Sequence, residues 1–153
     1  MNNEMIKSAL EEIGKYCSGN WAVTGSTNLF LRGLEITPND VDIFLTRDSA
    51  MELTSLAPFM AGGIFEDSFQ PTIKSFFHKA EVANVVVEFM ADARVKAAKD
   101  EWVALDSWQD NVELVSFEGI TVPVTSLAFE KAVFEILGNI ERIKLIETIN
   151  DNV

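Results

Sequence analysis

The chain has 153 residues, 48% of them apolar, and sets 24 acidic side chains against 12 basic ones for a formal charge of −12. That length and apolar content suit one domain able to bury its own core, and they exclude a disordered chain. The bases are scattered, with none between Asp100 and Phe129, so there is no footprint for duplex nucleic acid or an anionic membrane surface.

No run reaches the roughly 18 apolar residues that span a bilayer, and Glu4, Lys7, Glu11 and Glu12 interrupt any leader pattern, so the expected location is the cytoplasm. A lone Cys17 excludes a disulfide framework, and a lone His78 excludes a multi-histidine metal site.

Met5, Ile6, Ala9, Leu10, Ile13, Tyr16 and Cys17 recur at helical spacing, with Lys7–Glu11 and Glu11–Lys15 as pairs on the wet side. They predict an amphipathic first helix. Gly19-Asn20 breaks it, and Trp21-Ala22-Val23-Thr24 reads as a short buried strand. Gly25-Ser26 turns the chain into a short helix over 28–32, which Gly33 can stop. Thr37-Pro38-Asn39-Asp40 is turn chemistry ahead of a strand over 41–46. Asp48-Ser49 can cap a helix to about Leu56, ending before Pro58, and Gly62-Gly63 and Pro71 bracket a loop.

Two runs, 73–79 and 82–90, read as antiparallel neighbours, followed by a short helix over 92–99 and an irregular acidic stretch over 100–110. A hairpin of 112–117 and 120–124 turns about Glu118-Gly119. Helices over 126–137 and 139–150 close the chain, the second with Ile140, Ile143, Ile146 and Ile149 facing inward. The expected architecture is mixed α/β in one domain over 1–153, with helices on one side of a mixed sheet and two C-terminal helices completing the core.

The chemistry lies in Val23-Thr24-Gly25-Ser26 and in Asp40-Val41-Asp42-Ile43-Phe44-Leu45. A glycine directly after a strand lets a ligand approach the backbone, and a helix start with a serine hydroxyl offers donors to a phosphate. Asp40 and Asp42 are two residues apart at a strand start, so both carboxylates project from one face while Val41, Ile43 and Leu45 enter the core. Two adjacent carboxylates repel unless a cation lies between them, and hard oxygen ligands suit Mg²⁺. Glu88, inside the apolar run Val85-Val86-Val87-Glu88-Phe89-Met90, is a third acid that needs a reason for its place. Glu81 and Asp92 are its substitutes.

These residues resemble the nucleotidyltransferase superfamily, whose signature is a Gly-Ser turn, a downstream Asp-x-Asp and a third acid on a later strand. The resemblance covers about residues 20–90. The tail adds to it, with Thr121-Val122-Pro123-Val124-Thr125-Ser126-Leu127 before a helix carrying Glu130 and Lys131, then Leu137-Gly138. The wide spacing from Gly-Ser to Asp-x-Asp is similar to small, stand-alone, antibiotic-modifying members.

The resemblance implies that Gly25 and Ser26 contact a nucleoside triphosphate, ATP being the expected one. It further implies that Asp40 and Asp42 hold two Mg²⁺ (or Mn²⁺) ions, and that Glu88 completes one metal site and activates the acceptor. The implied activity is transfer of a nucleoside monophosphate, AMP, to a hydroxyl of an unidentified small molecule or protein. Lys131 is either a solvated ion-pair partner of Glu130 or a phosphate contact. His78 reads as a half-buried strand residue and Cys17 as core packing.

A rival reading keeps the fold without the catalysis, as a nucleotide sensor or an antitoxin-like protein that binds a partner. Eleven Phe, including Phe59, Phe65, Phe69, Phe76 and Phe77, would favour that rival or a homodimer if they left an exposed aromatic patch.

Overall fold

Alternation of apolar and polar residues along the central strands decides which side chains meet which layer. The computed structural model describes residues 1–150. Helix α1 (Asn3–Tyr16) precedes strand β1 (Trp21–Thr24), helix α2 (Gly25–Leu31), strand β2 (Val41–Leu45) and helix α3 (Arg47–Leu56). Strands β3 (Glu66–Phe69), β4 (Ile73–Val82), β5 (Val85–Lys96), β6 (Trp102–Ala104), β7 (Val112–Phe117) and β8 (Ile120–Thr125) follow. Helices α4 (Leu127–Leu137) and α5 (Ile140–Asn150) end the described chain.

The strands form one mixed sheet in the order β3-β4-β5-β2-β1-β8-β7, with β6 paired to the far end of β5. Val41, Ile43 and Leu45 of β2 are fully buried on the face covered by α1 and α3, and Phe44 points to the opposite face. There Phe129 of α4 joins Ala22, Met90 and Trp108 in a second cluster. Helices therefore cover both faces of the sheet rather than one. Each fully buried Val, Leu, Ile or Phe contributes about 1.5–3 kcal/mol, which is enough to hold the polar residues at the strand ends in place.

Several local expectations change for identifiable reasons. Helix α2 begins at Gly25 instead of residue 28, so the Gly-Ser pair is its first turn. Thr46, not Asp48-Ser49, caps α3: its hydroxyl accepts from the Ser49 N–H at 3.1 Å. The stretch between Gly63 and Pro71 holds β3, an edge strand with mostly exposed side chains and hence no apolar pattern to announce it. Residues 92–96 continue β5 instead of forming a helix, and β6 crosses the acidic segment expected to be irregular. On α1 the observed ion pair is Lys15 with Glu12 at 2.6 Å, in place of the pairs through Glu11. On α5, Ile146 is buried but Ile140 is exposed. Cys17 lies in the core, where burial pushes its thiol up to about 12 and leaves it unreactive.

Candidate active site

Register builds the site. Thr24 at the end of β1 pairs with Asp42 on β2, and Asp42 pairs with Glu88 on β5, so the three residues stand in one row across adjacent strands. Asp40 immediately precedes β2 and is tied to α2, because the Thr27 hydroxyl donates to its carbonyl at 2.7 Å. The structure brings Asp40, Asp42 and Glu88 together: one carboxylate oxygen from each lies within 4.8 Å of the other two. All three residues are half-buried.

The electrostatics of that cluster are unfavourable as it stands. Burial, and then the charges of Asp40 and Glu88, push the Asp42 carboxyl up from 3.8 to about 8. Oδ1 of Asp42 is buried and has no hydrogen-bond partner among the described residues. A buried acceptor without a donor costs about 1–3 kcal/mol. Three hard oxygen donors within reach of one another, beside a buried unpartnered carboxylate oxygen, are the kind of ligands that could hold a small divalent cation, with waters completing its shell.

Gly25 closes the other side of the site. Its φ is +69°, and a Cβ placed there would fall 2.9 Å from Oδ2 of Asp42. Only glycine takes that backbone shape cheaply and leaves that carboxylate its room. The Gly25 N–H is already engaged, donating to Oε1 of Glu130 at 3.0 Å. Ser26 is half-buried, and its hydroxyl has no hydrogen bond among the described residues. Lys131 lies on α4 with its ammonium 3.4 Å from Glu147 of α5.

Asp42 and Glu88 also line a pocket of about 130 Å³ with Ser68, Gln70, Ser75 and Phe77. Ser68 and Ser75 are shared with a neighbouring cleft of about 580 Å³ that carries Arg47, Lys74, Arg94 and Asp106. Asp92, weighed as a substitute third acid, is exposed there and accepts from Arg47 Nε at 2.8 Å. His78 sits away from the carboxylates, its Nδ1 3.0 Å from the Ile64 carbonyl and its ring against Phe65.

Glu130 is the residue that sequence reasoning underrated. It is 2% exposed, and Oε1 accepts from the Thr24 hydroxyl at 2.6 Å, the Gly25 N–H, the Asn28 amide at 3.1 Å and the Thr125 hydroxyl. The available signal was its position one turn before Phe134, which puts a carboxylate on the apolar stripe of α4. A charge there must find partners.

No protein-family model and no curated protein matches the chain. Solved structures do. A Thermotoga maritima protein provisionally described as a nucleotidyltransferase superposes with a TM-score of 0.70 at 24% identity, over 98% of this chain and 92% of that one. The antibiotic-resistance factor ANT(2'')-Ia, solved in solution, gives 0.61 at 14% identity over 95% and 82%. The lincosamide antibiotic adenylyltransferase LnuA, bound to lincomycin, gives 0.57 at 10% identity over 97% and 98%. With its mixed sheet and the helices laid against it, the chain has the nucleotidyltransferase fold.

Proposed function

We propose that this protein is a metal-dependent nucleotidyltransferase that moves AMP from ATP to a hydroxyl group of a second substrate. The observation that carries the reading is the convergence of Asp40, Asp42 and Glu88 with a buried, unpartnered Asp42 oxygen beside a glycine that must lack a side chain. Asp40, Asp42 and Glu88 would hold Mg²⁺ or Mn²⁺, which when bound neutralises the triphosphate and its leaving group. Glu88 borders the pocket through which an acceptor reaches the row of acids, and it takes the acceptor's hydroxyl proton. The freed oxygen forms a bond to the α-phosphorus, the bond from that phosphorus to the bridging oxygen breaks, and pyrophosphate leaves with its electrons.

Ser26 supplies a free hydroxyl to the phosphates. Gly25 supplies clearance, not a donor, since its N–H is spent on Glu130. Lys131 reaches the nucleotide only by leaving Glu147, a partly exposed pair worth about 0–1 kcal/mol. The ANT(2'')-Ia structure with adenylyl-2''-tobramycin and the lincomycin-bound LnuA support a small hydroxylated molecule as acceptor. The non-catalytic rival has less behind it: of the five Phe residues it invoked, Phe65 is buried, Phe59, Phe76 and Phe77 pack against the cores, and Phe69 alone is well exposed.

The test is phosphorus NMR of Mg²⁺-ATP with the protein and a panel of aminoglycoside, lincosamide and nucleoside acceptors. Pyrophosphate should accumulate with one of them, and not with Asp42→Asn. Release of inorganic phosphate in place of pyrophosphate would replace nucleotidyl transfer with hydrolysis.

A further inference from the structure

We infer that Glu130 is a positioning residue of the nucleotide site, holding the β1–α2 turn in the register that sets Gly25 against Asp42. The inference rests on the proposed function and extends it to a residue outside the acid cluster. Four donors from four places in the chain meet one carboxylate oxygen: the end of β1 (Thr24), the first and fourth residues of α2 (Gly25 and Asn28) and the end of β8 (Thr125).

A core staple could join these elements anywhere along their length. Here the junction falls on the two residues that touch the acids. Thr24 is the cross-strand partner of Asp42, and Gly25 is the residue whose missing Cβ leaves Asp42 its space. Asn28 extends the same network, donating to the Thr125 carbonyl at 2.8 Å and accepting from Arg32 at 2.9 Å.

A neutral acceptor would satisfy the same donors less strongly, because bonds to an ionised oxygen are shorter and about twice as strong. A carboxylate at this depth without its donors would be costly, so bonds and residue depend on one another. Glu130 thus acts on the site through the turn that its bonds hold.

The experiment is Mn²⁺ titration by electron paramagnetic resonance, with and without ATP, on wild type, Glu130→Gln, Glu130→Ala and Thr24→Val, at 10 °C, with folding checked by circular dichroism. Glu130→Gln keeps an acceptor of the same shape and should hold Mn²⁺-ATP within about threefold of wild type. Glu130→Ala frees the turn and should weaken Mn²⁺-ATP by about tenfold or more per folded molecule. Thr24→Val, which removes one donor and keeps the strand, should fall between them, and it decides the matter if Glu130→Ala does not fold.

A purely structural role would lower the melting temperature and leave the affinity of the folded fraction unchanged. Wild-type affinity in folded Glu130→Ala, or in Thr24→Val, overturns the inference. If wild type binds Mn²⁺ but no ATP, nucleotidyl transfer falls instead, and the Mn²⁺ affinities of the same variants still decide the role of Glu130. Failure of wild type to bind Mn²⁺ overturns both.

Discussion

Burying Asp42 between Asp40 and Glu88, with Oδ1 unpartnered, makes the metal-free protein carry a cost that a bound cation would remove. The sign of the pH dependence follows from the raised carboxyl. Folded Asp42 keeps its proton up to about 8 and the unfolded chain loses it near 3.8, so between those values the folded state binds more protons. The contribution is complete below 3.8 and is lost as pH rises through 8.

Metal-free wild type should therefore melt at a lower temperature at pH 8 than at pH 5. Asp42→Asn should flatten that difference and raise the melting temperature at pH 8 by several degrees, at about 2–4 °C per kcal/mol. The same variant should lose Mg²⁺ binding. A scanning calorimetry series over pH checks both, and a strong drop in stability of Asp42→Asn would mean that the acid is structural.

Gly25→Ala tests the other side of the site. A side chain at φ +69° costs about 1–2 kcal/mol, and its Cβ would press on the Asp42 carboxylate. Chemical denaturation should show that loss, and metal titration should show weaker Mg²⁺ binding as well. Steric exclusion of phosphate alone would leave the metal affinity intact.

The acids of the site were legible in sequence because Asp-x-Asp at a strand start and a Glu in an apolar strand are each costly without a shared purpose. The role of Glu130 was not legible. Three of its four partners, Thr24, Gly25 and Asn28, lie about a hundred residues away in the chain, and the parallel pairing of β1 with β8 brings α4 beside the Gly-Ser turn.

Among the elements, α4 carries Glu130 and its bonds to the β1–α2 turn, and the helix depends on its first turn. The Ser126 hydroxyl accepts from the Phe129 N–H at 3.1 Å, and Gly138 closes the helix in the left-handed conformation. Ser126→Ala should cost about 1 kcal/mol, read as a small fall in denaturation midpoint with the slope unchanged. A much larger loss would show that Ser126 also supports the Glu130 network.

Strand β5 shows why element type can be misread while the site is read well. Val85, Val87, Phe89 and Ala91 face the cluster under α1 and α3, but Ala93 and Val95 join the opposite cluster. One extra residue against β4 near Asp92, whose φ is +50°, switches the alternation from one face to the other. Ala and Lys residues after the switch look like a helix, since the bulge that keeps them in the sheet has no local pattern. β3 escaped notice for a simpler reason: Glu66, Asp67 and Phe69 are exposed, and its backbone pairing with β4 leaves no apolar alternation in the sequence.

For the whole molecule, the charge of −12 and the clustering of three acids repel a bare triphosphate, so the proposed function requires the nucleotide to arrive with its cation. Among the described residues no helix is long and apolar enough to cross a membrane. The proposed function stands or falls on whether the row of Asp42 and Glu88 beside Gly25 binds nucleotide through a divalent cation. Isothermal calorimetry of ATP binding, with Mg²⁺ and with chelator, on wild type and Asp42→Asn tests it directly. Wild type should show saturable one-site binding in Mg²⁺ and none with chelator, and Asp42→Asn should show none. Equal binding with and without Mg²⁺, wild-type affinity in Asp42→Asn, or no binding to wild type in Mg²⁺ would contradict it.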